Sequence, residues 1–510
     1  MTPFYAYLPY APVSFYLASL KGQEKLAVFQ SNESGSGLSQ YSYIAWQVVE
    51  SFVLTDIQQA QAFFDTLKQK QKAYALKECP ILPPFQGGFA GVLAYDLGEM
   101  TEPFIRNIKR EALPLAEVNV YAMVLAFDHV TQSTCLIATG WPASSNSMRE
   151  SHAKTALAHW GEIFGAVDIT NCQQPLAHPY IRACPHYAIS RHNALNVRES
   201  QRSIHEVCEQ RIADNQGGAA EIVVMRTRPT QPTGLPTPLR WQAAIPKAAY
   251  LKKIEAIQEC IRDGEIFEVN FANAFTASLP PQFNSFEYYL YLTQQLKEDF
   301  GGYFAGAGYT ILSYSPERFL KNTKGLLEAR PIKGTIKRET DSVKDRQAKE
   351  TLLNSEKDKA ENTMIVDLMR NDFSKIAEDE SVRVTQLCGL ETKAAVHHLV
   401  SVIQGKLKKD HTLWDALLAL FPAGSITGAP KRQSMKVIDR FEVLARQFYC
   451  GHLFYLSHAN VFDSAILIRS LFITDNTMRC YGGGAITLLS DPESEWAEIE
   501  AKIAKLGCQL

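Results

Sequence analysis

The sequence predicts an α+β protein built mainly on antiparallel sheets, and three observations carry that prediction. Short strand-like runs recur between turn signals, both before residue 170 and after residue 266. Amphipathic helical stripes lie among them without a regular strand–helix–strand alternation, so a parallel sheet is not indicated. No internal repeat is present.

Ala122–Phe127 (AMVLAF) reads as a strand answered by Thr134–Ala138 (TCLIA), and amphipathic helices are predicted near 57–73 and 148–164. The glycine-rich segment Pro84–Gly91 lacks the spacing and following lysine of a phosphate loop, so its glycines predict close backbone packing. Residues 171–245 are rich in His, Arg, Asn and Gln and close on the proline-studded run Arg228–Pro236. They predict an insertion or linker between an N-terminal region, 1–170, and a C-terminal region, 246–510. The histidines within it, His178, His186, His192 and His205, show no metal-ligand spacing. Further on, Leu251, Ile254, Ile257 and Ile261 form one helical stripe that Gly264 closes. Strands are predicted at 266–277, 303–314 and 325–329, followed by one long helix over about 344–371. Helices near 411–420 and 430–440, strands near 449–456, 463–473 and 478–488, and a terminal helix from about 493 complete the chain.

Composition excludes several function classes. With 510 residues, 46% hydrophobic and 21% charged, the chain has the make-up of a globular protein with a large core. A net charge of −2 gives no bulk attraction to nucleic acid or anionic lipid, so a bound anion must be held by local groups. None of the ten cysteines stands in a C-x-x-C pair, and together they read as buried thiols of a reducing compartment. The first residues lack the basic start of a signal peptide, and no apolar run reaches 18 residues, so a soluble cytoplasmic protein is expected.

Four constellations bear on chemistry. Asp358 and Glu361 are three apart on one predicted helix, as are Glu495 and Glu498 on another, so each helix presents two carboxylates on one face. Facing pairs of this kind suit Mg²⁺, whereas either pair alone is more often a solvated surface. In Ile365–Asp372 an apolar helix is expected to stop in Arg370-Asn371-Asp372, with Asp372 capping the next segment. Phe421–Lys431 places Ser425 and Thr427 among glycines ahead of Pro430, which is suited to open a helix. Backbone N–H groups at such a junction bind anions. Lys333 lies between Ile332 and Gly334. In an apolar wall its amine is expected to fall in pKa and become nucleophilic, although an isolated lysine is more often an exposed loop cation.

Taken together these runs resemble the chorismate-utilising enzyme family. The matching text is Ser315–Phe319 (SPERF), Pro331–Thr335 (PIKGT), Ala360–Asp372, His398–Ser401, Phe421–Lys431, Ile468–Ser470 and Glu495-x-x-Glu498-x-x-x-Lys502. The seven blocks stand in family order, and Pro84–Gly91 with Tyr95-Asp96 adds a weaker N-terminal likeness. The resemblance implies a large two-layered antiparallel β-sandwich core surrounded by helices, with both ends of the chain in one core. It implies Mg²⁺ held by Glu361 and Glu498, with Asp358 and Glu495 acting through water. Substrate carboxylates would meet Arg469, supported by Tyr449, and Lys502. Ser425, Thr427 and the backbone at Gly483, Gly484 and Ala485 would line the ring. His398 would move a proton or orient the leaving group.

Lysine at position 333 resembles the branch that aminates chorismate at C4, where anthranilate synthases typically carry alanine. In that branch the amine adds at C2 as the C4 hydroxyl leaves. Ammonia then enters at C4 and expels the lysine, giving 4-amino-4-deoxychorismate on the route to p-aminobenzoate and folate. Glu317 would be the general acid/base. The alternatives are an anthranilate-forming enzyme or a non-catalytic relative that binds chorismate. No Gly-x-Cys-x-Gly glutaminase signature is present, so a separate glutamine amidotransferase subunit is expected to supply ammonia. The chain departs from the family pattern at Asp358, where Glu is common, and at Glu268, where Gln is usual. It departs again at Lys375, at Ala485, and at Phe454, where the bulk in place of glycine predicts local repacking.

Overall fold

The structure is a computed structural model that describes residues 2–32, 38–165, 168–171 and 239–508. Most of the segment expected to be an insertion, 172–238, lies outside the described residues. Among the described residues 21 strands are joined by pairings that are antiparallel throughout, with helices packed against them. The antiparallel α+β prediction therefore holds.

The two ends of the chain are interleaved in this sheet system. Strand Gly88–Leu93 lies between Ala116–Asp128 and His452–Ser457, with Gly91 opposite both Val118 and Phe454. Strand Ala27–Gln30 pairs with Phe300–Gly306. The glycines of Pro84–Gly91 pack as expected. A Cβ on Gly91 would stand 2.2 Å from the Glu117 carbonyl oxygen, and one on Gly88 2.3 Å from that of Leu456.

Alternation along Ala116–Asp128 feeds two hydrophobic clusters. Val118, Val120, Leu125 and Phe127 enter the larger one, shared with helices, while Tyr121, Val124 and Ala126 enter a smaller one. Phe454 is buried in the larger cluster, with its ring 5.7 Å from Trp414 and 5.8 Å from Phe462. This repacking answers the missing glycine.

Several predicted elements are corrected. The run 303–314 is a hairpin of two strands, Phe300–Gly306 and Tyr309–Ser315, with Gly308 in the turn at φ +81°. The run 463–473 likewise divides into Phe462–Ile466 and Ser470–Thr474. The single long helix is two, Ser342–Asn354 and Glu356–Ile376. Ser355 takes an extended backbone between them and its Oγ accepts the Asp358 N–H at 3.2 Å, a side-chain cap that restarts the helix. The second helix does not stop at Asp372. It runs to Ile376 because Asp372 is buried and ion-paired to Lys431 at 2.6 Å and Lys375 at 2.9 Å. Pro430 caps the helix Lys431–Phe441 as expected. Cys135, Cys260, Cys388, Cys450, Cys480 and Cys508 are free thiols, but Cys79 is disulfide-bonded, contrary to the all-thiol expectation. Among the described residues no helix is long and apolar enough to cross a membrane.

Candidate active site around Lys333

Lys333 projects from strand Ile332–Lys337, which pairs with Val396–Lys406 and slips register between Ile332 and Thr335. Gly334 makes the slip possible. Its φ is +83°, and a Cβ there would stand 2.9 Å from the Asp358 Cβ. Gly334→Ala is expected to cost about 1–3 kcal/mol through strain in the left-handed region and through the clash. Thermal unfolding of the variant would measure it, and an unchanged midpoint would refute the account.

The Lys333 side chain is buried, with Nζ 2.5 Å from Glu268 Oε1. Burial pushes the amine down, but Glu268, Glu361 and Glu317 outweigh it and hold the amine above its ordinary value. The lowered amine expected in an apolar wall is thus not found, because the wall contains three carboxylates. Glu268 and Glu361 come from the strand Glu268–Ser278 and the helix Glu356–Ile376. Glu317 comes from the turn before strand Arg318–Thr323.

Glu317 is buried and accepts a hydrogen bond from Ser425 Oγ at 2.9 Å. Burial lifts its carboxyl to about 7, against the pull of Ser425, Lys333, the Ile332 backbone and Arg469. The turn is fixed from both sides. Ile466 N–H donates to the Glu317 carbonyl oxygen at 3.1 Å, and Arg318 Nε pairs with Asp463 at 2.9 Å. Ser425 therefore serves Glu317, while the Thr427 hydroxyl donates to the Ala423 carbonyl oxygen at 2.8 Å. Arg446, ion-paired with Glu442 at 2.6 Å, ties this turn to the neighbouring strand by donating to the carbonyl oxygens of Ile426 and Asn270.

His398 sits one strand away, its Nδ1 2.8 Å from the Thr335 hydroxyl. Burial, then Arg469, Lys393 and Lys505, push the imidazole down to about 4, so it is neutral near pH 7. His398, Arg469 and Lys505 line a cleft of about 150 Å³ that also touches Pro316 and Ile332, neighbours of Glu317 and Lys333. The Arg469 guanidinium pairs with Glu298 at 2.8 Å. Tyr449, expected to support Arg469, instead stacks on Tyr481 at 4.6 Å and lies beside Arg446.

The acidic pairs occupy two places. Asp358 packs on Gly334, and Glu361 Oε1 is buried without a hydrogen-bond partner among the described residues. Burial, before Glu268 and Asp358, lifts Glu361 to about 7 against Lys333 and Lys357. Glu495 is buried beside Gly484, where a Cβ would lie 3.0 Å from its Oε2, and burial raises its carboxyl too. Glu498 is half-exposed and pairs with Lys502 at 2.6 Å, and Lys502 also donates to the Gly483 carbonyl oxygen at 2.7 Å. Ala485 is half-buried in the same strand, opposite Asn270. Lys357 stands 3.9 Å from Glu361 and within electrostatic reach of Glu495. Among the described residues no three His, Cys, Asp or Glu side chains gather closely enough to hold an ion. The donor chemistry nevertheless suits a divalent cation: two carboxylates raised by burial, one of them with a buried oxygen that accepts no hydrogen bond among the described residues.

The structure thus brings Lys333, Glu317, Ser425 and Glu361 together, with Arg469 and His398 at one side, and stacks Tyr449 on Tyr481. The strongest contact of Lys333, Glu268, carried a sequence signal as a departure but no assigned role. The Glu442–Arg446 brace has only its four-residue spacing, and Glu298 carries no sequence signal.

Comparison with known proteins adds three findings. The chorismate binding enzyme family matches residues 23–507. Aminodeoxychorismate synthase component 1 of Salmonella typhimurium is 39% identical over 275 residues, 53% of this chain and 60% of that protein. The Escherichia coli protein of the same name is 38% identical over 270 residues, 53% and 59% of the two chains. The chain thus spans about three-fifths of the length of the curated relatives it matches. In fold it is similar to anthranilate synthase component I from Streptococcus pneumoniae, with TM-score 0.66, 22% identity and 92% of each chain covered. It is also similar to the menaquinone-specific isochorismate synthase of Escherichia coli, with TM-score 0.65, 19% identity, and 99% of this chain and 95% of that one covered.

Proposed function

The chain belongs to the chorismate binding enzyme family, and on that footing we propose that it aminates chorismate at C4 through a covalent bond to Lys333. The observation that carries this reading is the buried Lys333 amine set among Glu268, Glu361 and Glu317. A surface lysine has no such enclosure.

In the proposed sequence the Lys333 amine attacks C2 as the C4 hydroxyl departs with a proton from Glu317. Ammonia then attacks C4 and expels the lysine. Two allylic displacements leave nitrogen on the face that oxygen left. Glu317, raised to about 7, can hold that proton at neutral pH, which an ordinary glutamate cannot. Neutral His398 accepts or donates a hydrogen bond to the departing group. Arg469 takes a substrate carboxylate after parting from Glu298, and Lys502 adds a second cation. Tyr449 and Thr427 act on the pocket through its walls, as do the backbone at Gly483 and Gly484 and the neighbouring Ala485.

Glu361 and Glu498 would ligate Mg²⁺, with Asp358 and Glu495 behind bound water. The ion would supply charge neutralisation at the ring carboxylate. The family's two-layered sandwich accords with the smaller hydrophobic cluster, which strand residues mostly line. A relative named component 1 accords with a second subunit, for which a glutamine amidotransferase supplying ammonia is proposed.

The decisive experiment incubates the purified chain with chorismate, Mg²⁺ and ammonium and identifies the product by mass. 4-Amino-4-deoxychorismate is expected. Anthranilate with released pyruvate, or no product, would overturn the reading. Chelation with EDTA is expected to lower the rate by at least about tenfold, restored by added Mg²⁺, consistent with several kcal/mol from a bound ion. Full activity in EDTA would exclude the metal role.

A further inference from the structure

We propose that Glu268 is the base that takes the proton from the Lys333 ammonium and frees the amine to attack, a role that rests on the reading of Lys333 as covalent nucleophile. Among the described residues the lysine has one hydrogen-bonded carboxylate within reach, and it is this one, with Oε1 2.5 Å from Nζ. Glu268 is fully buried, and its Oε2 has no hydrogen-bond partner among the described residues. The Nζ–H···Oε1 hydrogen bond both orients the amine and gives the proton its path to the carboxylate.

The backbone around it is clamped. Phe267 N–H donates to the Ala429 carbonyl oxygen at 2.8 Å, and Ser434 Oγ donates to the Glu268 carbonyl oxygen at 3.0 Å. The other charged groups facing the pair are Glu361 on the helix Glu356–Ile376 and Glu317 on its turn, with Lys357 and Asp358 acting in turn on Glu361. Glu317 is already engaged by Ser425, and neither it nor Glu361 is hydrogen-bonded to Nζ. Among the described residues Glu268 alone combines contact with Nζ, burial and a vacant oxygen.

The step balances. The Lys333 ammonium gives one proton to the Glu268 carboxylate. The freed nitrogen pair forms the N–C2 bond, the two conjugated ring double bonds shift from C1=C2 and C5=C6 to C1=C6 and C4=C5, and the C4–O bond breaks, with the hydroxyl leaving as water on a proton from Glu317. Ammonia then forms the C4–N bond while the C2–N pair returns to Lys333, which recovers its proton from Glu268. The new C4 ammonium returns a proton to Glu317.

The test measures ammonium-dependent amination from about pH 6 to 9 for the unmodified chain, Glu268→Gln and Glu268→Asp, with mass spectrometry of the Lys333 peptide after chorismate is added. Glu268→Gln keeps a hydrogen bond to the lysine and accepts no proton. The ratio of unmodified to Glu268→Gln rates cancels limbs due to Glu317 and Glu361. It is expected to fall about tenfold per pH unit as solvent takes over deprotonation. Glu268→Asp, still a base but one methylene withdrawn, is expected to lose rate at every pH without changing the profile. A ratio constant with pH, a Glu268→Gln chain faster than the original near neutrality, or a Glu268→Asp chain as fast as the original overturns the proposal. If the unmodified chain aminates chorismate without forming a Lys333 adduct, the nucleophile reading falls first and the base with it. An adduct with an unaltered Glu268→Gln profile removes the base alone.

Discussion

Lys333→Ala is expected to abolish the chorismate adduct and to lower ammonium-dependent amination by at least about 10³-fold, the scale on which loss of a covalent nucleophile is felt. The same substitution carries a second effect. Removing the amine leaves Glu268 a buried carboxylate without its cation, and breaking a buried pair in this way costs about 3–5 kcal/mol. A lost rate in Lys333→Ala alone would therefore mix chemistry with unfolding. Lys333→Arg separates them. It keeps a cation opposite Glu268 but offers no competent amine, so it should lose amination as fully as Lys333→Ala while losing much less stability. Mass spectrometry, initial rates and thermal unfolding on both variants give three independent readouts. Amination retained in either variant would remove Lys333 from the reaction.

Glu317→Gln is expected to lower amination by roughly 10²–10⁴-fold, the usual worth of a positioned general acid. Its pH signature stems from the raised carboxyl. Burial lifts Glu317 from 4.5 to about 7, so the acid form persists up to neutrality and is lost above it. The rate of the unmodified enzyme should fall as pH rises through about 7, and Glu317→Gln should lack that limb. Stability moves in a matching sense. A carboxylate whose folded pKa lies above the unfolded one binds its proton more tightly when folded, so its stabilisation is full below 4.5 and lost as pH rises to about 7. Glu317→Gln should therefore gain in unfolding temperature relative to the unmodified chain between pH 5 and 8. A constant difference across that range would show that Glu317 is not held protonated by the fold.

How far these features are legible in sequence depends on the range of the interaction that makes them. The strand pair Ala122–Phe127 and Thr134–Ala138 is readable because a short turn joins it and alternation marks its faces. The break at Ser355 is not, since apolar periodicity runs on either side and only a serine oxygen meeting the Asp358 N–H decides it. Asp372 reads as a helix end because a polar cluster usually is one. The partner that buries it, Lys431, comes from a different helix 59 residues on. The blocks around Lys333, Glu317 and Glu361 identify the residues of the site, but not its electrostatics. A lysine beside apolar neighbours in sequence predicts a depressed amine, whereas Glu268 arrives from 65 residues upstream and reverses the sign. The ring partner of Tyr449 is likewise not legible, since Tyr481, on which it stacks at 4.6 Å, lies 32 residues further on.

The interleaving of the two ends also sets an order of events during synthesis. Strand Gly88–Leu93 cannot complete its edge until His452–Ser457 has been made, roughly 360 residues later. At ordinary rates of chain elongation that is on the order of 20–70 s. Throughout that interval Phe89 and Val92, both fully buried in the finished protein, lack one of their flanking strands. A ribosome-bound chain stopped short of residue 452 should therefore engage chaperones and be readily proteolysed, and emergence of His452–Ser457 should confer protection in a single step.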